Sequence, residues 1–123
     1  MTGRPVLEPS AAHPITVTPT GRHVTVRVHG VVVAETDDAL TLQEAKYPAV
    51  QYIPLRDVAE KVLRPSDTAT YCPFKGDAGY YHVTADGQTV EDAVWTYREP
   101  YPAVAAIAGH VAFYPDKADI TVV

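Results

Sequence analysis

Cys72 and Lys75 stand three residues apart in the segment Thr70-Tyr71-Cys72-Pro73-Phe74-Lys75-Gly76. A thiol becomes nucleophilic when a nearby cation or hydrogen-bond donor favours its thiolate, and Lys75 is such a cation. Pro73 and Gly76 shape a turn around the pair, whose backbone N–H groups could form an anion nest. Local spacing supplies no base, however, and a free cysteine at a strand end is commonly a small buried hydrophobe. Cys72 therefore reads as a candidate nucleophile or, more defensibly, as part of a pocket wall. Lys75-Gly76 is not a phosphate loop, because no glycine stands at the required upstream spacing and Asp77 follows where Ser or Thr is needed. Lys75 could still offer a point charge to an anionic ligand, or be a solvated turn residue.

The acidic candidates are Glu44, Asp57 and Glu91-Asp92. Metal-dependent nucleotidyl transfer needs carboxylates gathered on one side to hold Mg²⁺ against phosphates. Adjacent pairs such as Asp37-Asp38 and Glu91-Asp92 point to opposite faces of a strand. Asp57 is well explained as a turn residue after Pro54. Glu44 has no such structural excuse and ranks first among the acids. The five histidines (His13, His23, His29, His82 and His110) show no metal-ligand spacing. His13 lies in an irregular arm, and His23 and His29 fall on the polar phase of a strand. His82 and His110 are the two that the fold could bring to Cys72 as a Cys–His dyad.

Tyr52, Tyr71, Tyr80, Trp95 and Tyr97 are core residues by default, but the polar atom of a buried Tyr or Trp wants a partner, and such side chains often line pockets. The residues together predict a small-molecule site beside Cys72. Its catalytic candidates are Cys72, Lys75 and Glu44, and its ligand-binding candidates are Tyr52, Tyr80, Trp95, Tyr97 and His110. No metal and no cofactor are expected.

The elements that must position these residues are mostly strands. Residues 1–14, with Pro5, Pro9 and Pro14, read as an extended arm, and residues 15–123 as a single domain. Ile15-Thr16-Val17 opens regular structure, and His23 to His29 alternates polar with apolar residues in the manner of a half-buried strand. Val31 to Ala34 follows across a tight His29-Gly30 turn. Leu40-Thr41-Leu42 and Val50-Gln51-Tyr52-Ile53 are two strands around Pro48. Pro54 to Leu63 is expected to form one or two helical turns, ended by Pro65 and Ser66. Tyr80 to Thr84 and Thr89 to Asp92 flank Asp86-Gly87, the clearest hairpin signal in the chain. Ala93 to Tyr97, His110 to Tyr114 and Ile120 to Val123 are strand-like, and Pro102 to Ala108 is the best helix, closed by Gly109.

Composition sets outer limits. A chain of 123 residues fits one domain with its own core. The net charge of −5 and the scattered Lys and Arg argue against nucleic acid as a partner. One cysteine allows no internal disulfide, which fits a reducing cytoplasm, and no apolar run approaches a membrane span. The oligomeric state stays open between monomer and homodimer.

The Cys72-Pro73-Phe74-Lys75-Gly76 segment, Trp95-Thr96-Tyr97 with Pro100 and Pro102, and Gly109-His110-Val111-Ala112-Phe113-Tyr114 occur in that order. Gly30-Val31-Val32-Val33-Ala34, Glu44, Tyr52-Ile53-Pro54 and Asp57-Val58 stand upstream of them. Together these segments resemble the bacterial family catalogued as domain of unknown function 427, from His13 to Tyr114. The resemblance implies a compact, mainly β fold with one short helix near 102–108, similar in topology to the zinc-binding Mss4-like β-tents. It also carries a nucleotidyltransferase label given to the family by some collections. Those β-tents hold zinc with paired Cys-x-x-Cys motifs, and a lone Cys72 excludes a Cys₄ zinc site here. Three functional classes compete: an enzyme of nucleotidyl transfer or thiol chemistry, a non-catalytic small-molecule binder, and a protein-interaction module presenting an open sheet edge such as Val31-Val32-Val33 or Ile120 to Val123.

Overall fold

Ten strands make up the computed structural model, which describes residues 4–123. They are β1 (Ile15–Pro19), β2 (Val24–Val28), β3 (Val31–Thr36), β4 (Leu40–Glu44), β5 (Val50–Pro54), β6 (Leu63–Cys72), β7 (Gly76–Ala85), β8 (Gln88–Thr96), β9 (His110–Phe113) and β10 (Asp119–Val122). Seven form one sheet in the order β1-β4-β5-β9-β8-β7-β6, and three form a second in the order β10-β2-β3. Every pairing is antiparallel. The chain is mainly β, as its residues predict.

The tight turns follow from local chemistry. His29 and Gly30 both take positive φ (50° and 76°), as do Asp86 and Gly87 (52° and 71°). Two successive positive-φ residues make the type I′ turn, whose twist matches the flanking strands.

The small sheet covers one face of the large one. Val24, Val26, Val28 and Val33 pack there against Ile53, Val83, Val94, Val111 and Phe113. Alternate residues of the same strands turn to the opposite face, where Leu42, Tyr52, Ala78, Tyr97 and Ala112 form a second cluster with Val104 and Ile107. The period of two thus divides β5, β7, β8 and β9 between two environments.

One expectation needs correction. Leu63–Cys72 is a ten-residue strand, where the sequence predicts only a stop after a helical turn. It lies at the edge of the large sheet and is mostly exposed, so no buried face imposes a hydrophobic period on it. An edge also tolerates Pro65. The short helix expected near 102–108 is present at Pro102–Ile107, built as two 3₁₀ turns joined at Val104, whose φ and ψ are −125° and 27°. Val104 and Ile107, the two buried residues of the segment, are three apart, the repeat of a 3₁₀ turn. The helical turns expected after Pro54 are 3₁₀ as well, at Leu55–Asp57 and Glu60–Val62.

Candidate functional site

Sheet register gathers the aromatic residues in a row. Tyr80 pairs with Trp95, and Trp95 with Ala112. Ile53 pairs with Val111, so continuing that register sets Tyr52 beside Ala112. Tyr52 in turn pairs with Leu40. Tyr97 and Tyr114 continue the phase of Trp95 and Ala112 just beyond their strands. Ala112 is the small member of the row. Over it the Trp95 Nε1–H donates to the Tyr52 hydroxyl at 3.1 Å, with the two rings edge to face at 6.3 Å. Tyr114 leans on the indole from the other side at 4.5 Å.

These rings wall a cavity of about 230 Å³, lined also by Leu42, Glu44, Val50 and Lys75. Glu44 reaches it because Leu40, Leu42 and Glu44 share one face of β4. Ala45 follows with a φ of 47°, and its N–H donates to the Pro14 carbonyl at 2.7 Å. A non-glycine residue held left-handed costs on the order of 1 kcal/mol, so the bend after Glu44 is held by its surroundings.

Lys75 comes from the opposite side, at the tip of the β6–β7 hairpin. Gly76 has a φ of 110°, and a Cβ there would lie 3.4 Å from the Glu99 carbonyl oxygen. The Tyr101 N–H donates to the Lys75 carbonyl at 3.0 Å, fixing the tip against residues 99–101. Only 8% of Lys75 is exposed. Its Nζ donates to Glu44 Oε1 and stands 3.8 Å from Cys72 Sγ. Burial pushes the Glu44 carboxyl up, but the hydrogen bonds from Lys75 and His13, with their charges, outweigh it and hold the group below its ordinary value.

His13 is the residue that the sequence misses. Its Nε2–H donates to Glu44 Oε2 at 2.8 Å, since an ionised carboxylate only accepts. Its ring stacks on Phe74 at 4.3 Å. Pairing of Ile15 with Glu44 brings the residues before β1 alongside the end of β4. One signal was available: His13 stands two before Ile15 and four before Val17, both of which pack on the cavity side of the sheet. The arm continues over the hairpin, with the Leu7 N–H donating to the Pro73 carbonyl and Arg4 bridging both oxygens of Asp77.

Glu44, Tyr52, Lys75, Tyr80, Trp95 and Tyr97 therefore share one cavity, with Cys72 beside Lys75. His110 is not part of it: its Nδ1 lies 2.9 Å from the Ala108 carbonyl. His82 accepts the Asp92 N–H at 3.0 Å, and neither histidine hydrogen-bonds Cys72, so the Cys–His dyad does not form. Asp92 is an αL residue at a register shift in β7–β8, bonded by Ser66 and Thr68. Asp57 accepts from Thr36 at 2.7 Å and has a structural role. His23 is held by Asp37 and Glu35 on the surface. Among the described residues, no three His, Cys, Asp or Glu side chains gather as metal ligands, and no helix is long and apolar enough to cross a membrane.

A second groove, of about 510 Å³, is lined by Leu55, Arg56, Val58, Glu60, Leu63, Pro65 and Tyr81. It is larger, but its charged side chains belong to exposed residues. Chemistry concentrates in the smaller space.

The molecule is thus a two-sheet antiparallel β domain with an aromatic cavity and a buried ion pair on one face. A family model described as a domain of unknown function, DUF427, matches residues 16–123, and the chain belongs to that family. The comparison with curated proteins finds no match.

Proposed function

We propose that the cavity binds a small planar molecule, held between aromatic faces and oriented by the Lys75–Glu44–His13 chain. The observation that carries this reading is convergence. Side chains from the tips of two hairpins and from β4, β5, β7 and β8 place phenols, an indole and an ion pair around one space that the core does not fill. At about 230 Å³ the space is below the roughly 300–1,000 Å³ of sites for drug-sized ligands, which favours a compact metabolite over a whole nucleotide. The Lys75 charge is matched by Glu44, which favours a ligand that needs no unpaired cation. A reducing cytoplasm suits the single thiol.

Catalysis at Cys72 is the second reading, favoured by the 3.8 Å approach of Lys75 Nζ to the sulfur. Metal-dependent nucleotidyl transfer, suggested by the family's label, has less support. Glu44 is surrounded by a lysine and a histidine rather than by other carboxylates. An interaction module is the third reading. It would use the β3 edge, where Val31 and Val32 are exposed, but the Ala59 N–H already takes the Val33 carbonyl there.

Thermal shift with a panel of small planar metabolites and nucleotides, on the wild type and on Cys72→Ala, tests these readings. A compound at a hundred times its dissociation constant should stabilise by about 2.7 kcal/mol. Binding that persists in Cys72→Ala supports the binder, and binding lost there supports thiol chemistry. A response to nucleotides alone would restore the transferase reading, and no response to any compound would end the proposal.

A further inference from the structure

The cavity's one carboxylate is engaged, and two of its hydroxyl donors are not. Both oxygens of Glu44, the one carboxylate in the lining, are taken by Lys75 and His13. The Tyr52 oxygen receives the Trp95 N–H, and its own O–H has no acceptor among the described residues. Tyr97 goes further. It is 8% exposed, yet its hydroxyl has no hydrogen-bond partner among the described residues. Among the described residues no fully enclosed side-chain nitrogen or oxygen lacks a partner, so this hydroxyl keeps some open space beside it, and Tyr97 is part of the cavity lining.

Resting on the pocket reading above, we propose that the Tyr52 and Tyr97 hydroxyls together form a seat for the carbonyl oxygen of a neutral, planar ligand. A hydroxyl in a narrow, largely apolar space is poorly hydrated, and a ligand that supplies an acceptor there gains a hydrogen bond on binding. Both phenols keep their protons. Burial pushes the Tyr52 hydroxyl up to about 12 and the Tyr97 hydroxyl up as well, so each is a donor throughout the neutral range. A cationic ligand would face the Lys75 ammonium and find no free carboxylate oxygen. An anion would gain the same two hydrogen bonds but would meet Glu44 across a small, partly desolvated space.

The test is ligand-observed NMR on the full chain with three probes of similar ring and size: benzamide, benzylammonium and toluene. Benzamide is expected to bind at least about tenfold more tightly than benzylammonium. Tyr97→Phe should weaken benzamide about tenfold and leave toluene unchanged, the loss expected for one buried hydrogen bond. Tyr97→Phe should also melt no lower than the wild type, because the hydroxyl it removes has no partner in the free protein. Equal binding of benzamide and benzylammonium, unchanged benzamide affinity in Tyr97→Phe, or a marked fall in its melting temperature would each overturn the donor seat while leaving the pocket intact. If none of the three probes binds, the pocket reading fails and the donor seat with it.

Discussion

The two faces of the seven-stranded sheet are made by the same strands and have opposite characters. Toward the small sheet, β8 and β9 turn Val94, Val111 and Phe113 into a close-packed apolar layer. One residue along, they turn Trp95 and Ala112 to the opposite face, where Trp95 walls a cavity edged by hydroxyls and an ion pair. A well-packed apolar layer contributes stability in proportion to the surface it removes from water. The other face keeps space and polar groups that a purely structural core would replace. On the proposed reading, the difference separates what holds this domain together from what it would present to a ligand, at a resolution of one residue.

Substitutions can break this contrast, starting with the largest effect. Phe113→Ala opens a hole in the closed face and should cost about 3–5 kcal/mol in chemical denaturation. Ligand affinity should be unchanged in the folded fraction. If affinity falls as well, the faces are not independent. Glu44→Gln leaves the Lys75 ammonium buried without its counter-charge and should cost roughly 3 kcal/mol. Combining it with Lys75→Met should recover most of that loss. A double-mutant cycle showing simple additivity would mean the pair is not coupled.

Acid should act through the same carboxyl. The folded Glu44 titrates below its ordinary 4.5, so its contribution is complete above that value and is lost as pH falls through the folded one. Between about pH 5 and pH 2 the wild type should therefore lose more stability than Glu44→Gln. A smaller gain, about 1 kcal/mol, is expected for Ala45→Gly, which relieves the left-handed backbone beyond Glu44. The smallest effect belongs to the far surface. Asp37 and Glu35 raise the His23 imidazole above 6.5, so its contribution is present below that value and fades as pH rises through the folded one. His23→Gln should flatten a shallow alkaline slope that the wild type shows above neutrality.

How much of this was legible in the sequence follows from the same physics. The turns at His29-Gly30 and Asp86-Gly87 are encoded locally, because few residue pairs tolerate two positive φ angles. Glu44 could be singled out because, unlike Asp57, no turn or first-turn role explains it. The aromatic candidates shared one phase on β8, and Tyr80 meets Trp95 directly across β7. The β6 strand was invisible, since an exposed edge carries no hydrophobic period. His13 was harder to find for another reason: its phase with Ile15 and Val17 hints at the cavity side, but only the β1–β4 register makes it a neighbour of Glu44. His110 was placed wrongly because its ring turns back to the Ala108 carbonyl just beyond the 3₁₀ turns.

The chain contains one tryptophan, and it stands in the cavity wall. Trp95 emission, titrated with any compound that raises the melting temperature, therefore tests the central claim directly. A saturable change in emission is expected, with one dissociation constant shared by fluorescence and thermal shift, weakened by Tyr97→Phe and unaltered by Phe113→Ala. A compound that stabilises the protein while leaving Trp95 emission unchanged would place its site elsewhere and contradict the account.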